Sequence, residues 1–242
     1  MKKFYLVACH VLWRELCYYA ARSPNYFQFR FLKQGLHNTP DTLRSELQGS
    51  IDEVSGAGYD AILVGYGLCS NGLVGIEARD TPLVVMRGHD CITFLLGSRD
   101  RYRRYFEENP GTYWYSAGWI QTNTQPGKSR YENTLEHYEE TYGKENAPYL
   151  MESTESWVRN YDNAAYIDLG LGNTEADKEF TKECARWLGW RYDCVKGNPG
   201  LMRDFVEGNW NIDDFLVVRP AERIAASHDA RVIKAEVVDP PG

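Results

Sequence analysis

Cys9, Cys69 and Cys91 each stand where a predicted strand runs out, so a fold that aligns those strands would gather three thiols onto one edge. Cys9 ends Phe4-Tyr5-Leu6-Val7-Ala8. Cys69 follows Ala61-Ile62-Leu63-Val64-Gly65 by a few residues, and Cys91 closes Leu83-Val84-Val85-Met86 through Arg87-Gly88-His89-Asp90. Zinc takes thiolate and imidazole in tetrahedral geometry, and a catalytic zinc keeps one position open. The three cysteines, with His89 or His37 as competing fourth ligands, offer such a set. Three thiolates also suit a [4Fe–4S] cluster that leaves one iron open. His89-x-Cys91 directly precedes a predicted helix, whose N-terminus favours a thiolate, and this makes Cys91 the best single candidate of the set. The chain has no CxxC pair, which excludes ribbon and knuckle sites, so the fold itself must assemble any centre.

The other candidates read differently. Cys17 and Cys184 fall on predicted helices and Cys194 in a late strand, places where a cysteine acts as a small packing residue. His10 adjoins Cys9 and reads equally as a ligand or a hydrogen-bonding group; His137 and His228 read as surface residues. The glycine-rich stretch from Gly65 to Gly72 is expected to line a substrate pocket, with Tyr66, Gly67 and Asn71 as its contacts. Asp168 ends a strand, where it would either touch substrate as a base or form a turn. Gly170-x-Gly172 with Asn173 and Thr174 could cradle an anion, but it lacks the third glycine of a dinucleotide fingerprint.

Short apolar runs alternate with amphipathic stretches, the pattern of βα units around a mainly parallel sheet. Strands are predicted at 4–8, 26–32, 59–64 and 81–86, with helices at 12–21 and 40–54. Thr39 is placed to cap the second helix and Pro40 to open it. A single helix is expected over 92–106, a strand and its return over 112–120, and an exposed loop over 121–130. Helices at 131–142 and 148–161 follow. From 164 the order restarts as strand, helix, strand, helix, strand through 218. The expected class is α/β with a Rossmann-like sheet, divided into a site-bearing lobe at 1–120, a helical connection at 121–163 and a second α/β half at 164–242 that echoes the first.

A 242-residue chain with 43% hydrophobic residues can bury roughly 70–75% of its unfolded surface. Its net charge of −7 argues against nucleic acid as a partner, since phosphate neutralisation needs a concentrated basic face. The basic cluster Arg99, Arg101, Arg103 and Arg104 is interrupted by Asp100 and followed by Glu107 and Glu108, the make-up of a solvated helix face. The apolar runs fall far short of the roughly 20 residues that cross a bilayer. Six cysteines are too sparse for a secreted disulfide scaffold, so a cytoplasmic location with free thiols is expected.

Leu36-His37-Asn38-Thr39-Pro40, Gly65-Tyr66-Gly67-Leu68-Cys69-Ser70-Asn71-Gly72 and His89-Asp90-Cys91-Ile92-Thr93-Phe94-Leu95-Leu96-Gly97-Ser98 resemble the motifs of the domain of unknown function 1638 family. The resemblance covers most of the chain and is strongest over 4–119. It brings no established activity. It implies a setting in methanogenic archaea and anaerobic bacteria, beside genes for corrinoid-dependent methyltransferases. Zinc methyltransferases of such pathways use an HxC element and a distant second cysteine, the ligand types of His89-x-Cys91 with Cys69. The most specific expectation is therefore a metal-dependent enzyme that transfers a methyl group to or from a small molecule. A separate reading is a non-catalytic accessory that docks a corrinoid protein or a methyltransferase through Tyr113 to Trp119 and Tyr131 to Tyr142.

Overall fold

Three strands are apolar enough to be covered on both faces, and they form the centre of a parallel sheet, as such runs do. These are β1 (Lys3–Cys9), β3 (Ala61–Gly65) and β4 (Leu83–Met86), buried at every residue except Lys3. A computed structural model describes residues 1–238. Between β1 and β3 come α1 (Trp13–Ala20), the edge strand β2 (Tyr26–Leu32) and α2 (Pro40–Val54). Pro40 opens α2, and Leu43, Leu47, Ile51 and Val54 form its buried stripe. Thr39 does not cap this helix with its side chain; its hydroxyl donates instead to the Leu36 carbonyl at 3.3 Å.

The expected helix over 92–106 is two helices, α3 (Cys91–Leu96) and α4 (Arg99–Glu108). Gly97 parts them. It sits at φ +71, and a Cβ there would lie 2.5 Å from the Asn198 carbonyl oxygen. After β5 (Thr112–Tyr115) the expected return strand is instead α5 (Ala117–Thr122), because Ser116 accepts the Trp119 N–H at 3.2 Å and caps a helix. Within the expected exposed loop, Gln125, Pro126 and Gly127 are buried, and the Gln125 amide donates to the Trp119 carbonyl. Helices α6 (Lys128–Tyr142) and α7 (Ala147–Thr154) follow, then β6 (Asn163–Asp168), α8 (Thr174–Leu188), β7 (Arg191–Lys196), α9 (Gly200–Glu207) and β8 (Phe215–Val218). A hairpin of β9 (Glu222–Ala226) and β10 (Ile233–Val237) ends the described chain.

The chain forms two units, one of residues 1–99 with those from 198 onward, the other of residues 100–197. The expected boundaries at 120 and 163 do not coincide with this division. In the first unit the strand order is β2-β1-β3-β4-β8, parallel except for β8. In the second it is β5-β6-β7, all parallel. The last strand of the expected second half, β8, therefore belongs to the first sheet, and the two sheets differ in order; the echo in the sequence is one of element types. Tyr115, Ala164, Tyr166, Cys184 and Ala185 form the core of the second unit, with Tyr113 and Trp190 packed on it. The aromatic segment proposed for docking thus fills a core at Tyr113 to Tyr115, whereas Tyr131 and Tyr142 on α6 are exposed. Among the described residues, no helix is long and apolar enough to cross a membrane.

Glu15 on α1 is 1% exposed, and its Oε2 has no hydrogen-bond partner. Burial pushes its pKa up to about 7. From the ordinary carboxylate range up to about 7, the folded protein holds a proton that the unfolded chain has lost, so stability must fall as pH rises through that window. The expected loss is roughly 3 kcal/mol. Denaturant unfolding measured at intervals across the window should show this slope in the wild type and a flatter profile in Glu15→Gln. Equal slopes would refute the assignment.

Candidate functional site

The chain leaves β1 for β2 on one side and returns to β3 on the other, so the strand order reverses between β1 and β3. In open α/β sheets, ligands bind beyond the carboxyl ends of the strands at such a switch point. Cys9 is the last residue of β1, Tyr66 is the first after β3, and Cys91 follows β4 by five residues. Cys69 is carried there by a loop whose backbone is tied to the chain after β4. The Leu68 N–H donates to the Gly88 carbonyl and the Cys69 N–H to the His89 carbonyl, both at 2.8 Å. Gly67 makes this approach feasible, because a Cβ there would meet the Asp90 nitrogen at 2.6 Å.

The three thiols meet. All are buried, and the Cys91 thiol is hydrogen-bonded to the sulfurs of Cys9 and Cys69. Cys9 is the more acidic end of the network: the Cys91 S–H and the Val11 N–H donate to its sulfur and outweigh its burial. The Cys91 pKa lies well above the ordinary thiol range, because the neighbouring sulfurs hold its proton and burial penalises its charge. Cys91 is the first residue of α3, but Asp90 already occupies that helix end, accepting the N–H groups of Ile92 at 3.0 Å and Thr93 at 3.3 Å.

Around the sulfurs the loop is strained. Cys69, Ser70 and Asn71 adopt φ of 46°, 55° and 66°, three successive left-handed residues without a glycine among them. Such positions cost on the order of 1–3 kcal/mol each and cluster where function requires them. Tyr66 is buried, and its hydroxyl lies against the Cys9 sulfur, yet no hydrogen bond of good geometry reaches that hydroxyl. Burial and the three neighbouring thiols raise its pKa.

His37 lies on a half-buried turn, where burial lowers its pKa and the Asp90 carboxylate partly opposes that. It is thus a largely neutral imidazole within electrostatic reach of the residue before Cys91. The His89 residue is exposed, and its backbone carbonyl is what ties it to the site. His10 is exposed and stacks on Phe31. Gly67 serves the loop packing, and Asn71 is exposed, its carbonyl accepting from Arg44 Nη2 at 3.2 Å. Asp168 belongs to the second unit, where it pairs with Lys178 at 2.8 Å and accepts the Gly170 N–H in a turn. Cys17 is half-buried on α1, and Cys184 is a core residue of the second unit. Cys194, expected to pack, is exposed on β7. Among the described residues, no group of three or more His, Cys, Asp or Glu side chains is arranged to hold a metal ion.

Residue typing alone missed Asp90 as a cap and the Tyr66 hydroxyl against the Cys9 sulfur. An Asp directly before an apolar helical run was the available signal for the first. No local signal marks the second.

A doubly wound α/β unit with a thiol cluster at its switch point defines the class of protein. The chain belongs to the family described as protein of unknown function (DUF1638), whose pattern matches residues 31–206. Cys69, Cys91, His37 and Tyr66 lie inside the matched stretch and Cys9 lies upstream of it. No curated protein and no solved structure matches the chain.

Proposed function

We propose that Cys9, Cys69 and Cys91 bind a metal ion, zinc in the first instance, at which a small molecule is activated. The observation that carries this reading is the convergence of three buried thiols from three separate segments at the switch point. Their donor set fits: loss of the bonding protons turns three neighbouring thiols into three soft ligands, and Cys9 is already disposed to lose its proton. When bound, the metal supplies a Lewis acid that lowers the pKa of a thiol or water. The protein's own part is to exclude bulk water and to hold the acceptor in place. His37 is the favoured candidate over the exposed His89 to complete the set, because burial disfavours its charged form. Transfer of a methyl group to or from a thiol at the open position is the most specific reaction proposed.

The same three buried thiolates suit a [4Fe–4S] cluster with one open iron. Anaerobic purification followed by elemental analysis and a visible spectrum separates the two. A colourless protein with about one zinc per chain is expected. Iron and acid-labile sulfide in a brown protein would replace zinc by the cluster, and a metal-free protein would end both readings.

A further inference from the structure

The strand β2 ends the first sheet as Tyr26-Phe27-Gln28-Phe29-Arg30-Phe31-Leu32 and is paired on one side only, to β1. The Tyr26 N–H donates to the Lys2 carbonyl at 2.8 Å, so Tyr26, Gln28, Arg30 and Leu32 turn their backbone groups toward β1. Alternation along the strand then turns those of Phe27, Phe29 and Phe31 outward. The rings of the same three residues share one face of the sheet. They stack in sequence, with centroids 5.7 Å apart from Phe27 to Phe29 and 5.8 Å from Phe29 to Phe31, and Phe29 is 37% exposed. The open edge and the aromatic ladder are thus one surface.

Proteins blunt exposed sheet edges with short strands, charge or proline. The other edges of the two larger sheets follow this rule. β5 and β8 have four residues each, and β7 carries Arg191, Asp193 and Lys196. β2 has seven residues and no proline or lysine, and its one charge, Arg30, is drawn onto Glu53 of its own chain. Its outward residues also read the same in both directions. An antiparallel copy turned about a twofold axis at Phe29 sets Phe29 against its counterpart and Phe27 against Phe31, each pair exchanging two N–H···O bonds. Opposed residues share a face, so the two ladders merge into one, and Arg30 meets the neutral Gln28 rather than a like charge. A second copy supplies this match by symmetry, and the contact closes after two chains. We infer that the protein is a homodimer in which β2 pairs antiparallel with β2 of a second copy about Phe29, joining two five-stranded sheets into one continuous sheet.

Sedimentation equilibrium of the full-length protein across a roughly 100-fold range of concentration tests this. The wild type is expected to show the mass of two chains. Phe29→Arg sets two guanidiniums against each other at the axis and is expected to weaken association by at least about 100-fold. Val217→Arg, at an exposed position on the edge strand β8, is expected to stay a dimer. A second arm replaces the exposed Cys194 by serine. In that background Phe29→Cys is expected to form a disulfide between copies on mild oxidation, because Cα atoms paired in this register lie about 5.5 Å apart. Phe27→Cys, which faces Phe31 of the copy, is not. The cross-link decides the register whether or not Phe29→Arg folds. Single wild-type chains at every concentration would overturn the inference and leave the edge to a strand of another protein. A dimer that persists in folded Phe29→Arg, or a cross-link through Phe27→Cys and not Phe29→Cys, would place the contact elsewhere and also overturn it. None of these outcomes bears on the metal reading.

Discussion

Cys91→Ser is expected to lower metal affinity by more than about 100-fold, beyond the 10-fold to 100-fold typical of groups that only orient ligands. Cys91 is the hub of the thiol network, hydrogen-bonded to both Cys9 and Cys69, so under the proposed metal reading its loss removes one ligand and releases the other two. Serine keeps the size and a hydrogen-bonding group, and the fold should survive. Cys194→Ser, at an exposed cysteine in the other unit, should leave the metal content unchanged. Elemental analysis of the two variants, with Tm as a check on folding, decides the matter. A folded Cys91→Ser protein that retains its metal at wild-type affinity would show that the ligands are elsewhere.

Arg87→Met is expected to destabilise the first unit by roughly 3–5 kcal/mol, because buried carbonyls left without their donor cost about 1–3 kcal/mol each. Arg87 directly follows β4, is 4% exposed and forms no ion pair with a carboxylate among the described residues. Burial and the nearby Arg231 and Arg99 guanidiniums lower its pKa. Its Nε donates to the carbonyls of Ile212 and Phe215, each at 3.0 Å, and its Nη1 to those of Arg231 and Ile233. It thus ties the starts of β8 and β10 to the segment that leads into Cys91. Lysine has no planar fork to reach four carbonyls, so Arg87→Lys should recover little. Urea unfolding of the three proteins measures the effect, and a cost below about 1 kcal/mol for Arg87→Met would contradict the clamp. Loss of the clamp also loosens the Gly88 to Cys91 turn, so metal retention should weaken with stability.

The strand ends that gather the thiols were legible because β1, β3 and β4 are short apolar runs, and runs of that kind become neighbouring parallel strands with their carboxyl ends on one edge. The positions of Cys9, Cys69 and Cys91 followed from that. Which thiol is acidic did not, since it depends on which sulfur receives the others' protons, a property of the assembled cluster. Glu15 and Arg87 were also illegible: nothing local distinguishes a charged residue that ends up buried from one that faces water. The split at Gly97 and the cap at Ser116 had local signals, a glycine and a serine inside otherwise continuous patterns, outweighed by the periodicity around them. The hairpin of β9 and β10 lacks a two-residue turn signal, and its pairing is set by contacts with Ile76 and Arg87 far away in the chain.

X-ray absorption at the metal edge of the anaerobically purified protein tests the central claim most directly. The account predicts about three sulfur scatterers at about 2.3 Å and one lighter atom at about 2.0 Å. A shell of nitrogen and oxygen alone, or a purified protein without metal, would contradict it.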